Sequence, residues 1–349
     1  MTTPSNGPGL LARLAEGPVI CAEGYLFELE RRGYLQAGAY VPEVVLERPD
    51  LVEQLHREFV DAGSDVVEAF TYYGHREKLR IIGKEHLLEQ MNRDALAIAT
   101  RVARETGTLL AGNICNTNIF EPTDEARAKV RAMFEEQVGW AVEAGADFII
   151  GETISWGEEA LIALDVIKAS GLPSVVTLSI HRAPEVREGW SPAETCKRLA
   201  DAGADVVGLN CIRGPQTMLP LLREIRDAVD VHVAALPVPY RTTNAEPSFQ
   251  SLRDPHCDCI PGGIPFPTAL DPFTCNRYEI AEFTAAAREI GVDYLGVCCG
   301  AGPHHIRSMA EALGRTPPSS RFSPDMSKHW SLGTDTALKS HNQAYASEL

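Results

Sequence analysis

Four stretches share one plan: DAGSDVVEAF (61–70), EAGADFIIGE (143–152), DAGADVVGLN (201–210) and EIGVDYLGVC (289–298). Each reads as a helix end, a glycine, an aspartate and a short apolar run. Glycine supplies the left-handed conformation that stops a helix, and the aspartate marks the entrance to a strand. The runs are apolar throughout and do not alternate with polar residues, which suits strands buried on both faces of a parallel sheet.

Working outward, similar runs occur at 18–22, 65–70, 109–113, 148–152, 174–180, 206–211, 231–237 and 294–299. Amphipathic helical patterns lie between them. In 50–63 the residues Leu51, Leu55, Phe59 and Val60 keep helical spacing, with Asp50 as the expected cap, Glu53 three residues on and Gly63 as the stop. In 303–314 Pro303 opens a helix whose Ile306, Met309, Ala310 and Leu313 share a face before Gly314. Eight βα units predict an α/β fold of the TIM (β/α)8 barrel type over residues 1–315. A doubly wound open sheet would carry a glycine-rich phosphate loop after its first strand, and CAEGYLFELE (21–30) is not one.

Two segments fall outside the alternation. Residues 238–278, between the seventh and eighth strands, are rich in Pro, Asp and Gly and too long for an ordinary loop, so a functional role or an assembly contact is expected of them. Residues 316–349 form a C-terminal extension without strong periodicity, expected to contact a partner subunit in a homo-oligomer or to be mobile.

The chain of 349 residues carries 32 Lys+Arg against 48 Asp+Glu, a formal net charge of −16, which argues against a nucleic-acid partner. With 44% hydrophobic and 23% charged residues it reads as a globular protein able to bury a large core. No apolar run approaches a membrane span, and MTTPSNGPGLLARLAEG (1–17) lacks the layout of a signal peptide, so a cytoplasmic location is expected. Nine cysteines, at 21, 115, 196, 211, 257, 259, 275, 298 and 299, are then expected to be reduced thiols.

A TIM barrel builds its site at the C-terminal ends of its strands. Those ends carry Glu23 and Tyr25, then Thr71, Tyr72 and Tyr73, Asn113 and Asn116, Glu152 and Thr153, His181, Asn210 and Cys211, and Cys298 with Cys299. Three thiols converging on one mouth match a catalytic zinc site, with three protein ligands and an open position. The competing reading is of small buried hydrophobes. For Cys298 and Cys299 to reach one ion the strand must end there, and Gly300 permits the turn. His256, Cys257 and Cys259 in DPHCDC stand too close together to surround one tetrahedral ion.

GLNC (208–211), GVCCGAGPHHI (296–306) and the opening EGYLFELERRGYLQAGAYVPEVVLERPDLVEQLHREFVDAGSDVVEAFTYY (23–73) resemble the zinc-dependent homocysteine S-methyltransferase family, its betaine-using members most. The resemblance runs to about Arg315. It implies a TIM barrel, Zn²⁺ bound by Cys211, Cys298 and Cys299, homocysteine as thiol acceptor and a small onium methyl donor, with methionine as product. It further implies that Glu152 faces the acceptor's ammonium group, that Asn210 belongs to the substrate site, and that Tyr25, Tyr40, Tyr72 and Tyr73 stand where the betaine enzymes carry aromatic residues. Aromatic faces attract quaternary ammonium and sulfonium groups, whereas the bland alternative is core tyrosines with a wet tip. His304 and His305 would support the motif without ligating, and His181 is not needed as a base.

Three departures stand out. The family's Asp followed by two small residues is Ala22-Glu23-Gly24 in this chain, Thr153 replaces a tyrosine of the betaine enzymes, and Val297 replaces a glycine. Glu23 is therefore expected either to take over the lost acid's contact with the acceptor, or to report a different donor such as dimethylsulfoniopropionate or S-methylmethionine, or a different acceptor. The missing Asp also motivates a competing reading: a non-catalytic zinc-thiolate barrel or methyl-group sensor.

Overall fold

A computed structural model describes residues 7–341 and 344 of the chain. Eight parallel strands close into a barrel in chain order: β1 (Val19–Ala22), β2 (Val66–Glu68), β3 (Leu109–Cys115), β4 (Phe148–Ile154), β5 (Ser174–Leu178), β6 (Val206–Asn210), β7 (His232–Leu236) and β8 (Tyr294–Val297). Each pairs with the next and β8 pairs with β1. The expected TIM barrel is the observed fold.

The unbroken apolar runs are explained by two buried layers. Val19 and Cys21, Leu109 and Ala111, and Phe148 and Ile150 cluster with Leu10 and Leu14 of the helix Leu10–Glu16. The alternate residues Ile20, Ala22, Leu110 and Ile149 join the larger cluster that includes the surrounding helices. Successive side chains point to opposite faces, and both faces are dry.

The repeated junctions do what their residues suggest. Gly63, Gly145, Gly203 and Gly291 have φ of 110°, 79°, 91° and 93°, the left-handed region that glycine enters at least cost. The four aspartates precede β2, β4, β6 and β8, and each ties its strand to the odd-numbered one before it. Asp65 accepts from the Ile20 N–H, Asp147 from Leu110 and Asp205 from Ser174, each at 2.8 Å, and Asp293 meets the His232 ring at 3.1 Å.

Some expectations are corrected. The first amphipathic helix is Pro49–Asp61 and opens on Pro49 with Arg48 at the cap, so Asp50 lies in the first turn, paired with Arg48. Proline at the first helical position sets a helical φ, and the N–H it lacks is one that the helix would leave without an intrahelical partner. Strands β3 and β4 run two residues further than predicted, while β8 stops at Val297. The 238–278 segment contains only short 3-10 turns, at Phe249–Ser251, Pro261–Gly263 and Asp271–Phe273, and one bridge between Tyr240 and Thr274. Within it Cys257 and Cys259 form a disulfide with Cα atoms 5.3 Å apart, contrary to the expectation that every thiol is free. The other seven cysteines are free.

Arg315, the last residue of the expected barrel unit, pairs with Asp65 at 2.6 Å, and the C-terminal extension carries 3-10 turns at Pro318–Phe322 and Met326–Lys328. Residues 1–6 of the expected barrel unit, and 342–343 and 345–349 of the extension, lie outside the described residues. Among the described residues no helix is long and apolar enough to cross a membrane.

Candidate metal and substrate site

Cys211 follows β6 directly, and its φ of +56°, continued by +57° at Ile212, turns the chain sharply while the Cys211 N–H stays bonded to Leu236 O at 2.8 Å. Cys298 and Cys299 follow β8 in a turn closed by the Ala301 N–H on Cys298 O at 3.0 Å, with Gly300 at φ +95°. A Cβ on Gly300 would fall 2.2 Å from the Tyr240 hydroxyl, so glycine is demanded by conformation and by space. The turn brings the two adjacent side chains to one side. The Sγ atoms of Cys211, Cys298 and Cys299 lie within 4.8 Å of one another, with Cys298 and Cys299 at 3.9 Å.

That spacing fits a metal. Ligands at a Zn–S length of about 2.3 Å in a tetrahedron stand about 3.8 Å apart. All three thiols are buried, and hydrogen bonds from Cys298 and Cys299 hold the Cys211 thiol well below its ordinary value.

Beside the thiols is a chain of buried carboxylates joined by two amides. Asn113 Nδ2 donates to Glu68 and to Glu152 Oε1 at 2.6 Å. Asn210 Nδ2 donates to Glu152 Oε2 at 2.8 Å and to Glu23 Oε2 at 3.1 Å. The Asn210 amide is oriented by its Oδ1, which accepts from the Thr153 N–H and the Thr177 hydroxyl. None of the three glutamates forms an ion pair among the described residues. Glu23 Oε1 and Asn113 Oδ1 are buried acceptors with no partner there. Burial pushes Glu23 and Glu68 well above the ordinary carboxylate range and Glu152 up to about 7. A small cavity of about 20 Å³, room for one water-sized group, touches all three acids, Cys298 and Cys299. A cluster of acids with spare acceptors and no counter-charge is built to receive a cation.

On the other side of the thiols a cavity of about 220 Å³ is lined by Tyr40, Tyr72, Tyr73, Phe249 and Phe266 together with Cys211 and Cys299. The Tyr72 and Tyr73 rings lie 4.3 Å apart, and Lys78 Nζ stands 4.3 Å from the Tyr73 ring centre. Of the four tyrosines Tyr72 lines both cavities, Tyr40 and Tyr73 the larger one, and Tyr25 the small one. The Tyr25 hydroxyl is bonded to His56 Nδ1 at 3.1 Å and its ring packed against Phe59 and Phe70, because it sits on the helix Tyr25–Arg31, which turns it back towards the core.

Left-handed φ at Tyr40, Tyr73, Thr153, Cys211 and Ile212, none of them glycine, marks this mouth. Such residues cost roughly 1–3 kcal/mol each and persist where the surroundings enforce them. Thr153 sits where the β4–β5 register shifts. Glu68 is the participant that sequence reasoning left out of the site, while Asn113 was placed at the mouth without a role. The available signal was a carboxylate at the end of an apolar strand, in VVEAF (66–70), where charge is rarely buried without a role.

The remaining singled-out residues stand outside the thiol trio, though His181 lines the larger cavity. His181 bonds Ser155 at 3.1 Å and Gln250 at 3.2 Å. His305 accepts from the Gly302 N–H at 3.0 Å and bonds Cys275 O, which braces the turn after Cys299, and His304 stacks on it. Cys257 and Cys259, being disulfide-bonded, offer no thiolate.

Glu152 makes stability pH-dependent. Its folded pKa is raised from 4.5 to about 7, so its contribution is fully present below about 4.5 and lost as pH rises through about 7. Chelator-treated protein is expected to lose on the order of 3 kcal/mol from this group over that window. Urea unfolding at about pH 5 and about pH 8 should show the loss, with Glu152→Gln reducing it by the Glu152 share and leaving the part that Glu23 and Glu68 contribute in the same direction. An unchanged slope in Glu152→Gln would assign the dependence elsewhere.

Comparisons with known proteins bear on this site. A profile described as Homocysteine S-methyltransferase matches residues 21–313. Betaine--homocysteine S-methyltransferase 1 of Xenopus laevis is 35% identical over 349 residues, covering 97% of this chain and 82% of that protein. S-methylmethionine--homocysteine S-methyltransferase BHMT2 of Pongo abelii is 33% identical over 350 residues, covering 98% of this chain and 90% of the other. The metallated form of the homocysteine methyltransferase MmuM from Escherichia coli superposes with a TM-score of 0.67 at 16% identity, over 86% of this chain and 98% of its own, and shares the barrel. Matched over most of its length by the profile and by relatives above 30% identity, the chain belongs to the homocysteine S-methyltransferase family.

Proposed function

We propose that the protein moves a methyl group from a small onium donor to the thiol of homocysteine, giving methionine, with zinc held by Cys211, Cys298 and Cys299. The observation that carries this reading is the placement of the three thiols between two unlike cavities, one acidic and one aromatic. Cys211, Cys298 and Cys299 would hold the ion, which when bound would supply the acidity that turns a substrate thiol into a thiolate at neutral pH.

The chain's own residues do the rest. Glu152 and Glu23, held by the Asn210 amide, face the acceptor's ammonium group, and a cation entering that cavity favours their ionised forms. Tyr40, Tyr72 and Tyr73 hold the onium group by their ring faces, at roughly 0.5–2 kcal/mol per ring, and their apolar walls keep water from the transferring methyl. The reaction is a displacement at carbon: the acceptor sulfur bonds the methyl carbon as the donor's nitrogen or sulfur departs with the bonding electrons. No general base is required of His181. Orientation of the two substrates across the thiols is the protein's main contribution.

Initial rates with homocysteine and a panel of glycine betaine, dimethylsulfoniopropionate and S-methylmethionine, with methionine read by mass spectrometry, test the reading. At least one donor is expected to be turned over, and none would contradict it. Tyr73→Leu keeps apolar area and removes the ring quadrupole, so it should raise the donor KM by roughly threefold to thirtyfold and leave the homocysteine KM within about twofold. Equal weakening of both substrates would mean general damage to the site.

A further inference from the structure

Every Lys, Arg, Asp and Glu side chain that lines the aromatic cavity reduces to one, Arg187. The acids of the site all face the other cavity. Among the described residues the Arg187 guanidinium forms no ion pair, and its nearest aromatic neighbour, the Trp156 ring, is 6.0 Å away. This is unusual on a chain of net charge −16 whose other cavity-proximal arginines are spent: Arg213 donates to the carbonyls of Ile180, His181 and Arg182.

The loop that carries Arg187 is anchored. Its N–H donates to Ser155 O at 2.9 Å, and Val186 closes a turn with Trp190 at 3.0 Å. The neighbouring Glu188 carboxylate is used up on the first N–H groups of the helix Gly157–Ala169, accepting from Gly157 at 2.9 Å and Glu158 at 2.8 Å. The adjacent acid is thereby committed to the helix N-terminus, and the buried Glu159 carboxylate, which feels the Arg187 charge, forms no ion pair with it. His181, on the same wall, is occupied by Ser155 and Gln250.

We infer that Arg187 holds the carboxylate of the methyl donor, so that the donor is an onium acid, with its cationic end on the tyrosines beside the thiols and its anionic end at Arg187. This rests on the methyltransferase reading and narrows its donor. A guanidinium recognises a carboxylate through two parallel N–H donors, and an arginine outside any ion pair offers both. The cavity thus combines aromatic faces with one guanidinium in its lining, a pair of features that a zwitterion meets and a simple onium ion does not.

Arg187→Gln and Arg187→Lys, assayed with glycine betaine, dimethylsulfoniopropionate and trimethylsulfonium, which lacks a carboxylate, test the inference. Arg187→Gln should raise the KM for whichever onium acid is used by roughly tenfold or more, with the trimethylsulfonium and homocysteine constants changed by less than about twofold and Arg187→Lys intermediate. Equal losses on trimethylsulfonium and the onium acids, or an unchanged KM for the acids, would overturn it. Calorimetric titration of the zinc-loaded protein with glycine betaine and dimethylsulfoniopropionate separates the two readings. Binding lost in Arg187→Gln, in a protein that turns over no donor, would uphold the carboxylate subsite and reject methyl transfer. Binding retained in Arg187→Gln would reject the subsite whatever the turnover.

Discussion

Alanine at Cys211, Cys298 or Cys299 is expected to remove bound zinc and reduce methyl transfer to background. Among the described residues these three Sγ atoms are the only trio of thiols within 4.8 Å of one another, so two remaining thiols cannot close the set. Losing the activation of the acceptor thiol costs several kcal/mol, or roughly 10³-fold or more at about 1.4 kcal/mol per decade. The barrel should stay folded, because the thiols follow β6 and β8 and do not lie within them. Elemental analysis should give about one zinc per chain in the parent protein and none in the triple variant, with far-UV circular dichroism unchanged. Stoichiometric zinc in the triple variant would place the metal elsewhere.

Glu23→Gln should weaken homocysteine binding by roughly 1.5–3 kcal/mol, or about tenfold to a hundredfold. The substitution preserves shape while removing the charge. Glu23 Oε1, buried and without a partner among the described residues, is the atom positioned to accept from an incoming ammonium group. The paired change Ala22→Asp with Glu23→Gly restores the order usual in the family and should improve homocysteine use. If Glu23→Gln leaves homocysteine affinity untouched and abolishes donor binding, Glu23 belongs to the donor's cavity.

The barrel was legible because its determinants are local. A left-handed glycine and an aspartate before an apolar run repeat four times, and each structural reason acts within a few residues or on the adjacent strand. The thiol triad was legible only in part: spacing alone left Cys211, Cys298 and Cys299 against the alternative of buried hydrophobes, and the family motifs decided. What was not legible depends on contacts across the barrel. Glu68 and Asn113 come from β2 and β3, and nothing near either in sequence shows that both face Glu152. The same holds for Tyr25, whose ring follows its helix into the core and leaves the larger cavity to Tyr40, Tyr72 and Tyr73. The Cys257–Cys259 disulfide was missed because a composition argument about compartment cannot see two neighbouring residues folded face to face. Arg187 gave no signal at all, since an exposed arginine in a loop is ordinary until its would-be partner Glu188 is seen capping a helix.

The most direct test of the account is transfer of a labelled methyl group. Chelator-stripped protein, reconstituted with zinc, is incubated with homocysteine and trideuteromethyl-labelled onium donors, glycine betaine and dimethylsulfoniopropionate among them, and methionine is read by mass. The account predicts methionine carrying the intact label, formed by the zinc-loaded parent and absent from both the stripped protein and the triple cysteine variant. Label appearing equally with the triple variant, or no labelled methionine from any donor with zinc-loaded protein, would contradict it.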